Sequence, residues 1–205
     1  MKKIILGLSL VAASLLAGDI AGSYITVEVK KDNKVKHPYM QTIFEKDGKM
    51  MVMGMPMGTW KYDESKNIIL ITPVMNPSAV EKHSIVKNDK DKLILKHNDE
   101  TYIYKKIDAK NVEKNNLASK LEGTWEFNSK SFNEKITFSL PNNFSYIKED
   151  HTENSTTKSN GTWFYDPKEK SVIISSMMCP ISGKHSVDPS KGSITINGIT
   201  YQKVK

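Results

Sequence analysis

The sequence contains no arginine, so lysine supplies all 30 of its strongly basic side chains. Sequence-specific recognition of nucleic acid depends on the planar, bidentate guanidinium group. The lysines are also interspersed with acidic residues, and the formal net charge is only +7. This composition argues against a nucleic-acid partner. It indicates a solvated, lysine-rich surface, and a weak attraction to anionic membrane surfaces is the alternative.

Cysteine is almost as scarce, since Cys179 is the single cysteine among 205 residues. One cysteine cannot form an internal disulfide, so buried apolar surface has to stabilise the fold. The thiol is then buried, paired between chains or used as a ligand.

The sequence also lacks the motifs that accompany common catalytic chemistries. It has no G-x-S-x-G, no phosphate-binding glycine loop, no H-E-x-x-H and no EF-hand series. No pair of acidic residues stands out as an acid–base pair. His37, His97 and His151 lie in charged, turn-like surroundings and are expected at the surface. We therefore predict a protein that is not an enzyme.

The longest apolar run lies at the N-terminus, where Lys2 and Lys3 precede the stretch from Ile4 to Ala17. This stretch is too short and wrongly flanked for a stable membrane span. We predict a cleaved signal peptide over residues 1–18, with an uncleaved N-terminal anchor as the alternative. Asp19 stands where a lipoprotein would have its cysteine. The mature protein is expected to be periplasmic or secreted and to have no transmembrane segment.

The sequence does contain an internal duplication. The hexapeptide GTWKYD at 58–63 recurs as GTWFYD at 161–166, and residues on both sides correspond in the same order. Gly22 corresponds to Gly123, Phe44 to Phe138, Trp60 to Trp163, His83 to His185 and Tyr104 to Tyr201. We predict two tandem domains over 19–107 and 117–205, joined by a polar linker over 108–116.

Both halves have the pattern of β-strands. Short runs rich in β-branched and aromatic residues are separated by turn sequences such as KDGK, PNN and NGI. We predict an all-β protein, because strands at this spacing suit an antiparallel barrel or sandwich in each half. A short helical turn is expected only in the linker, near residues 112–117.

These motifs resemble small bacterial lipocalin-like domains. Gly123-Thr124-Trp125 is similar to the G-x-W opening of lipocalins, and an F…DG turn, the GTW-x-YD hexapeptide and a closing Y-x-K-[IV] extend the resemblance. Tyr24 replaces the tryptophan in the first half, and PNN replaces the Asp-Gly turn in the second. The resemblance implies two antiparallel β-barrels, each of about eight short strands, with a closed end and a mouth that can hold a small apolar ligand. It implies no reaction.

The hexapeptide is expected to belong to the barrel core. A side-chain period of two places Trp60 and Tyr62 on one face of a strand, and likewise Trp163 and Tyr165. The glycine before each pair allows a close backbone approach. The aspartate that ends each copy is expected to begin the following turn.

The first candidate site is a methionine-rich segment before the first hexapeptide. Its methionines alternate, so an uninterrupted strand would project them from one face, although Gly54 and Pro56 favour an edge or a bulge. The second half has no counterpart, so the fold does not require them. We predict a cavity for a small apolar or amphiphilic ligand; the alternatives are an adaptable core and a copper(I) site. The predicted ligand-binding residues are Met51, Met53, Met55, Met57, Trp60 and Tyr62.

The second candidate site is a pair of corresponding loops at 75–84 and 177–186. Each contains a methionine, then a proline, and then a histidine seven or eight residues after the methionine. Thioether, thiolate and imidazole groups bind copper(I), or zinc with less help from the methionines. The alternative is a duplicated structural loop. The metal ligands of this hypothesis are Met75, His83, Met178, Cys179 and His185.

We therefore predict an exported, non-catalytic protein of two lipocalin-like barrels that binds a small apolar or amphiphilic molecule and has no resident cofactor. A copper-binding protein is the alternative. A third interpretation is a protein-interaction module that uses loops such as 145–160.

Overall fold

The computed structural model describes residues 20–107 and 116–204, most of which are in β-strands. The predicted signal peptide and residues 108–115 of the predicted linker lie outside the described residues. None of the helices in the described ranges is long and apolar enough to cross a bilayer. Among the described residues, 20–38 with 42–106 form one compact unit, and 39–41 with 107 and 116–204 form the other.

The first unit is built on a nine-stranded antiparallel sheet. Its strands are β1 (Gly22–Lys31), β2 (Lys34–Lys36), β3 (Met40–Phe44), β4 (Lys49–Val52), β5 (Met55–Asp63), β6 (Ile68–Pro73), β7 (Glu81–Asn88), β8 (Lys92–His97) and β9 (Glu100–Ile107). Strand β1 pairs with β9 as well as with β2 and β3. Eight strands therefore close into barrel 1, and β2 extends the hairpin of β1 outside the ring.

The second unit is built on an eight-stranded antiparallel sheet, barrel 2. It contains a helix α1 (Asn116–Leu121), strands β10 (Gly123–Asn128), β11 (Phe132–Ser139), β12 (Asn143–Asp150), β13 (Ser155–Asp166), β14 (Ser171–Ser175) and β15 (Gly183–Ser186), a 3₁₀ turn (Pro189–Lys191), β16 (Ser193–Ile196) and β17 (Ile199–Lys203). Strands β15 and β16 end the sheet and are not hydrogen-bonded to each other, so barrel 2 is nearly closed. The predicted architecture of two antiparallel barrels is confirmed.

Helix α1 extends beyond the window in which a helical turn was expected. It continues to Leu121, inside the predicted second domain. Ala118 and Leu121 lie on one face because they are three residues apart, and both are fully buried in the core of barrel 2. Packing of this face, rather than helix propensity, sets where the helix ends.

Each hexapeptide supplies a core tryptophan held in the same way. The indole Nε1 of Trp60 donates to the carbonyl of Glu45 at 2.9 Å, and that of Trp163 donates to Ser139 at 3.1 Å. The rings pack on corresponding phenylalanines, Trp60 on Phe44 and Trp163 on Phe138, with centroids 5.4 and 5.2 Å apart. As interpreted, Trp163 and Tyr165 are buried in the core of barrel 2, whereas Trp60 and Tyr62 are half-buried and pack against the core of barrel 1.

The hexapeptide glycine is required by the neighbouring strand. A Cβ atom on Gly58 would lie 2.4 Å from the carbonyl oxygen of Thr72, and one on Gly161 would lie 2.3 Å from that of Ser175. Such contacts do not occur between real atoms, so only glycine permits the strands to approach this closely in both barrels.

The aspartate that ends each hexapeptide begins a turn, as predicted. Its side-chain oxygen accepts from backbone N–H groups two or three residues ahead: Asp63 from Lys66 at 3.3 Å, and Asp166 from Lys168 at 3.0 Å and Glu169 at 3.4 Å.

Tyrosine and tryptophan occupy equivalent places at the start of the two barrels. The hydroxyl of Tyr24 donates to the carbonyl of Ile20 at 2.7 Å. The indole of Trp125 donates to the carbonyl of Leu121 at 2.8 Å. Both side chains are buried. Tyr24 therefore performs the structural task of the missing tryptophan, because each ring reaches the carbonyl four residues before it.

Candidate functional site

The methionine-rich segment is a hairpin rather than one strand. Met53 and Gly54 have φ values of 52° and 81°, and two consecutive residues in this region reverse the chain between β4 and β5. Met51 therefore lies on β4, whereas Met55 and Met57 lie on β5. The four methionines therefore do not lie on one uninterrupted strand. The expected bulge is present, as a register shift between Met50 and Met51.

The six predicted ligand-binding residues differ in their exposure. Met55 and Met57 are exposed, while Met51 and Met53 are half-buried. Trp60 and Tyr62 instead pack against the core of barrel 1.

The five predicted metal ligands are also placed in unlike environments. In barrel 1, Met75 is 90% exposed and His83 is buried; in barrel 2, Met178 is 92% exposed and Cys179 is buried. The Nε2 atom of His185 lies 2.8 Å from the carbonyl oxygen of Ile181. Within residues 20–107 and 116–204, no three histidine, cysteine or acidic side chains converge on a point where a metal ion could sit. Metal binding stays a prediction without geometric support.

His83 has a partner that its sequence context did not suggest. Its ring stacks on His97 with centroids 4.6 Å apart, and its Nε2 atom lies 3.2 Å from a carboxylate oxygen of Glu81. The Nδ1 atom is buried and has no hydrogen-bond partner. Burial lowers the pKa of His83, and His97 lowers it further, while Glu81 opposes the shift. His97, expected at the surface, is half-buried because it packs on this ring.

The most unusual polar group in barrel 2 is the carboxylate of Glu134. It lies on the inward face of β11, where alternate positions carry Ile136 and Phe138, and Glu134 is only 6% exposed. The hydroxyl of Tyr146 donates to its Oε1 atom at 2.9 Å, and the hydroxyl of Tyr201 donates to Oε2. Burial and the neighbouring carboxylate raise the pKa of both tyrosines, so both remain protonated donors at neutral pH.

This buried carboxylate has no cationic partner among the described residues. Lys148 is its register partner on β12, but the Lys148 ammonium lies 4.6 Å from the centroid of the Phe132 ring and 3.6 Å from Asp150. The carboxylate is instead hydrogen-bonded by two neutral donors, the hydroxyls of Tyr146 and Tyr201.

Aromatic rings complete the surroundings of Glu134. Phe127 is its register partner on β10, and the Phe127 ring lies 5.4 Å from that of Phe132 and 6.4 Å from that of Tyr201. We call this group the Glu134 cluster. It consists of Phe127, Phe132, Glu134, Tyr146, Lys148 and Tyr201.

Cys179 lies close enough to the Glu134 cluster to interact electrostatically with it. Burial raises the pKa of the Cys179 thiol, and the charge of Glu134 raises it further. Hydrogen bonds involving the backbone of Ile181 and the side chains of Ser159 and Ser176 only partly oppose this shift. The thiol is therefore held in its protonated form, which is neither the nucleophilic nor the metal-binding form.

Barrel 1 shows that the fold does not need this cluster. Phe44 in β3 corresponds to Phe138 in β11. Met40, four residues before Phe44, therefore corresponds to Glu134, four residues before Phe138. By the same register, the counterpart of Tyr146 is Val52 in β4. Methionine and valine thus stand at the register positions in β3 and β4 that the buried carboxylate and its tyrosine donor occupy in β11 and β12.

A groove of about 200 Å³ runs along β10, β11 and β12, and Glu134 is among the residues that line it. Its lining also includes Glu126, Lys135 and Ile147, and the Lys135 ammonium pairs with Glu126 at 2.8 Å. Lys135 thus pairs with one of the three acidic residues of this groove, Glu126, Glu134 and Glu149.

Sequence reasoning missed Glu134, although a signal was present. The segment FNEKITF places Phe132, Glu134, Ile136 and Phe138 on one strand face, so a single carboxylate interrupts an otherwise apolar stripe. A charged residue at such a core position is rare unless it is paired or functional.

Comparison with known proteins gave no significant match to a family model, to a curated protein or to a solved structure. The relationship to lipocalins therefore stays a prediction from motifs, whereas the two-barrel architecture is observed.

Proposed function

We propose that the protein is an exported, non-catalytic binding protein that holds a small apolar or amphiphilic ligand, with the polar end of the ligand at the Glu134 cluster. The observation that carries this proposal is the buried Glu134 carboxylate, held by Tyr146 and Tyr201 inside an apolar core. Small-molecule sites in proteins have this composition, a mostly apolar lining with a few oriented polar groups.

The chemistry of the cluster suits binding better than catalysis. Glu134 offers carboxylate oxygens as acceptors, and both are already oriented by tyrosine hydroxyls. Phe127 and Phe132 are half-buried and offer aromatic surface at one side of the carboxylate. The nearby thiol of Cys179 is kept protonated by burial, so it lacks the activation that a nucleophile requires.

The methionine hairpin of barrel 1 is a weaker candidate for the same role. Its methionines are exposed or half-buried on a two-stranded ribbon, and Trp60 and Tyr62 are half-buried against the core of barrel 1. In the Glu134 cluster, by contrast, a buried carboxylate is hydrogen-bonded by two tyrosines, and one of these, Tyr201, packs on Phe127.

The proposal is tested with the full mature chain and a panel of eight-carbon amphiphiles that carry cationic, neutral or anionic heads. Saturable binding of at least one member is expected by isothermal titration calorimetry. The double variant Phe127→Ala/Phe132→Ala should weaken it at least about tenfold, because two aromatic contacts are lost. Ile147→Ala is the matched control, since Ile147 lies between Tyr146 and Lys148 on β12 and points to the opposite face of the same sheet. Absence of saturable binding for the whole panel, or equal loss in the control, would contradict the proposal.

A further inference from the structure

We infer that the ligand of the Glu134 cluster carries an alkylammonium group, which pairs with the Glu134 carboxylate and lies against the ring of Phe132. This inference rests on the proposed function, because it names the polar end of the ligand. It follows from the charge of the cluster, from its aromatic surface and from the position of one lysine.

The first argument is charge. Glu134 is 94% shielded from solvent, and its hydrogen-bond donors, Tyr146 and Tyr201, are neutral. No lysine or histidine within the described ranges pairs with it. A cationic ligand would supply the missing counter-charge, whereas an anionic head would add a second negative charge in a desolvated site.

The second argument is the aromatic surface. Phenylalanine rings attract cations at their faces and form the aromatic sites that recognise ammonium groups. The structure already contains such a contact, because the ammonium of Lys148 lies over the face of Phe132, 4.6 Å from the centroid. The side chain of Lys148, a four-carbon chain that ends in an ammonium, has the chemistry of an alkylammonium ligand.

The third argument is register. Phe127, Glu134 and Lys148 occupy one row across three adjacent strands, β10, β11 and β12. Phe132 lies two residues before Glu134 on β11, so the two side chains leave the same face about 7 Å apart. An ammonium between them can contact both the ring and the carboxylate.

Lys148 therefore occupies part of the proposed site in the free protein. Its side chain is 32% exposed, and its ammonium also pairs with Asp150 at the end of the strand. A ligand ammonium that reached Glu134 would displace the lysine toward solvent, where it would remain close to Asp150. Lys148 would then act as a competitor that weakens binding.

The decisive experiment compares octyltrimethylammonium, octan-1-ol and octanoate on the full mature chain by isothermal titration calorimetry. We expect the cation to bind at least about tenfold more tightly than the alcohol, and octanoate to bind most weakly. The mature chain lacks Lys2 and Lys3, so its formal net charge is 28 − 23 = +5, which still works against general adsorption of a cation, and a preference for the cation reports on a local site.

Three variants assign the preference to these residues. Glu134→Gln keeps the shape of the side chain and an acceptor oxygen, and it should reduce the affinity for the cation to that for the alcohol. Lys148→Met should bind the cation several-fold more tightly, because the competing ammonium is gone. Glu126→Gln is the control, since Glu126 precedes Phe127 on β10 and points to the opposite face of the sheet, and it should behave like the wild type. Circular dichroism checks that each variant is folded.

The outcomes separate the two proposals. If no amphiphile binds, the proposed function itself fails. If octan-1-ol binds as tightly as the cation, the protein is still a binding protein and the alkylammonium inference is overturned. If the cation is preferred but the preference survives in Glu134→Gln, the assignment to Glu134 is wrong.

Discussion

The repeated glycine offers a sharp test of how the barrels are held together. In barrel 1, Gly58→Ala would place a Cβ atom 2.4 Å from the carbonyl oxygen of Thr72 on the neighbouring strand. Gly22→Ala is a matched substitution in the same barrel, and its Cβ atom would meet nothing closer than 3.7 Å, on the ring of Tyr24. Neither glycine has a positive φ, so backbone strain does not distinguish them.

The two substitutions should change stability in opposite directions. Replacing glycine with alanine reduces the entropy of the unfolded chain and stabilises a compatible site by about 0.4–1 kcal/mol. Gly22→Ala should show this gain. At Gly58 the clash is with backbone that is fixed by the pairing of β5 and β6, so the overpacking cost of about 1–3 kcal/mol should apply at its upper end. We expect a net loss of about 2 kcal/mol, equivalent to about 10 °C in the melting temperature of a domain of this size.

The measurement has to report on barrel 1 alone, because the chain contains two barrels. Hydrogen–deuterium exchange followed by mass spectrometry resolves the amides of β5 and β6 in peptides from 55–73. Protection there should fall by about the same 2 kcal/mol in Gly58→Ala and should stay equal or rise in Gly22→Ala. If the two variants were protected equally, the close strand approach would not explain the repeated glycine.

Three further predictions concern buried groups. Trp125→Phe should destabilise barrel 2 by about 1–3 kcal/mol in urea unfolding, because the carbonyl of Leu121 loses its donor and is left buried. Burial lowers the pKa of His83, so on acidification the unfolded chain binds a proton at this histidine before the folded barrel does. Barrel 1 should therefore lose stability as the pH falls below about 6.5. The protection of the β7 amides against exchange should fall between pH 7.5 and pH 5.0, and this fall should be smaller in His83→Gln than in the wild type. The thiol of Cys179 should resist thiol reagents at pH 8 until urea unfolds barrel 2, and rapid labelling of the native protein would contradict its burial.

The sequence allowed the barrels and the role of the hexapeptide to be predicted because the relevant information is local and repeated. Trp60 and Trp163 stand in the same short context, with a glycine two residues before and a tyrosine two residues after. A pattern of period two and a turn residue at a fixed offset specify a core strand without knowledge of its partners.

The methionine hairpin could not be predicted from the same kind of pattern. The alternation of methionines continues through Met53 and Gly54, so the period suggests one strand, although these two residues form the turn. A Met-Gly pair is not among the strong hairpin signals such as Asn-Gly, which does occur at Asn197 and Gly198. Pairing across the turn, rather than local preference, determines the conformation here.

The Glu134 cluster could not be predicted from local patterns, because its members are distant from one another in the sequence. Tyr146 and Tyr201 are 12 and 67 positions from Glu134 and are brought to it by strand pairing and by the closure of the barrel. The stack of His83 on His97 depends in the same way on the register of β7 and β8. A single sequence identifies which faces point inward, but it does not give the register that sets residues side by side.

The unpaired strands β15 and β16 give the two barrels different routes to unfolding. In barrel 1, every way of opening the ring breaks a ladder of backbone hydrogen bonds, because the sheet closes on itself through β1 and β9. In barrel 2, the ring can part between β15 and β16 without breaking any such ladder. Opening of barrel 2 between β15 and β16 should therefore have a lower kinetic barrier than opening of barrel 1. It is the natural place for a first opening event under heat or mechanical force, and for new termini in a circularly permuted chain.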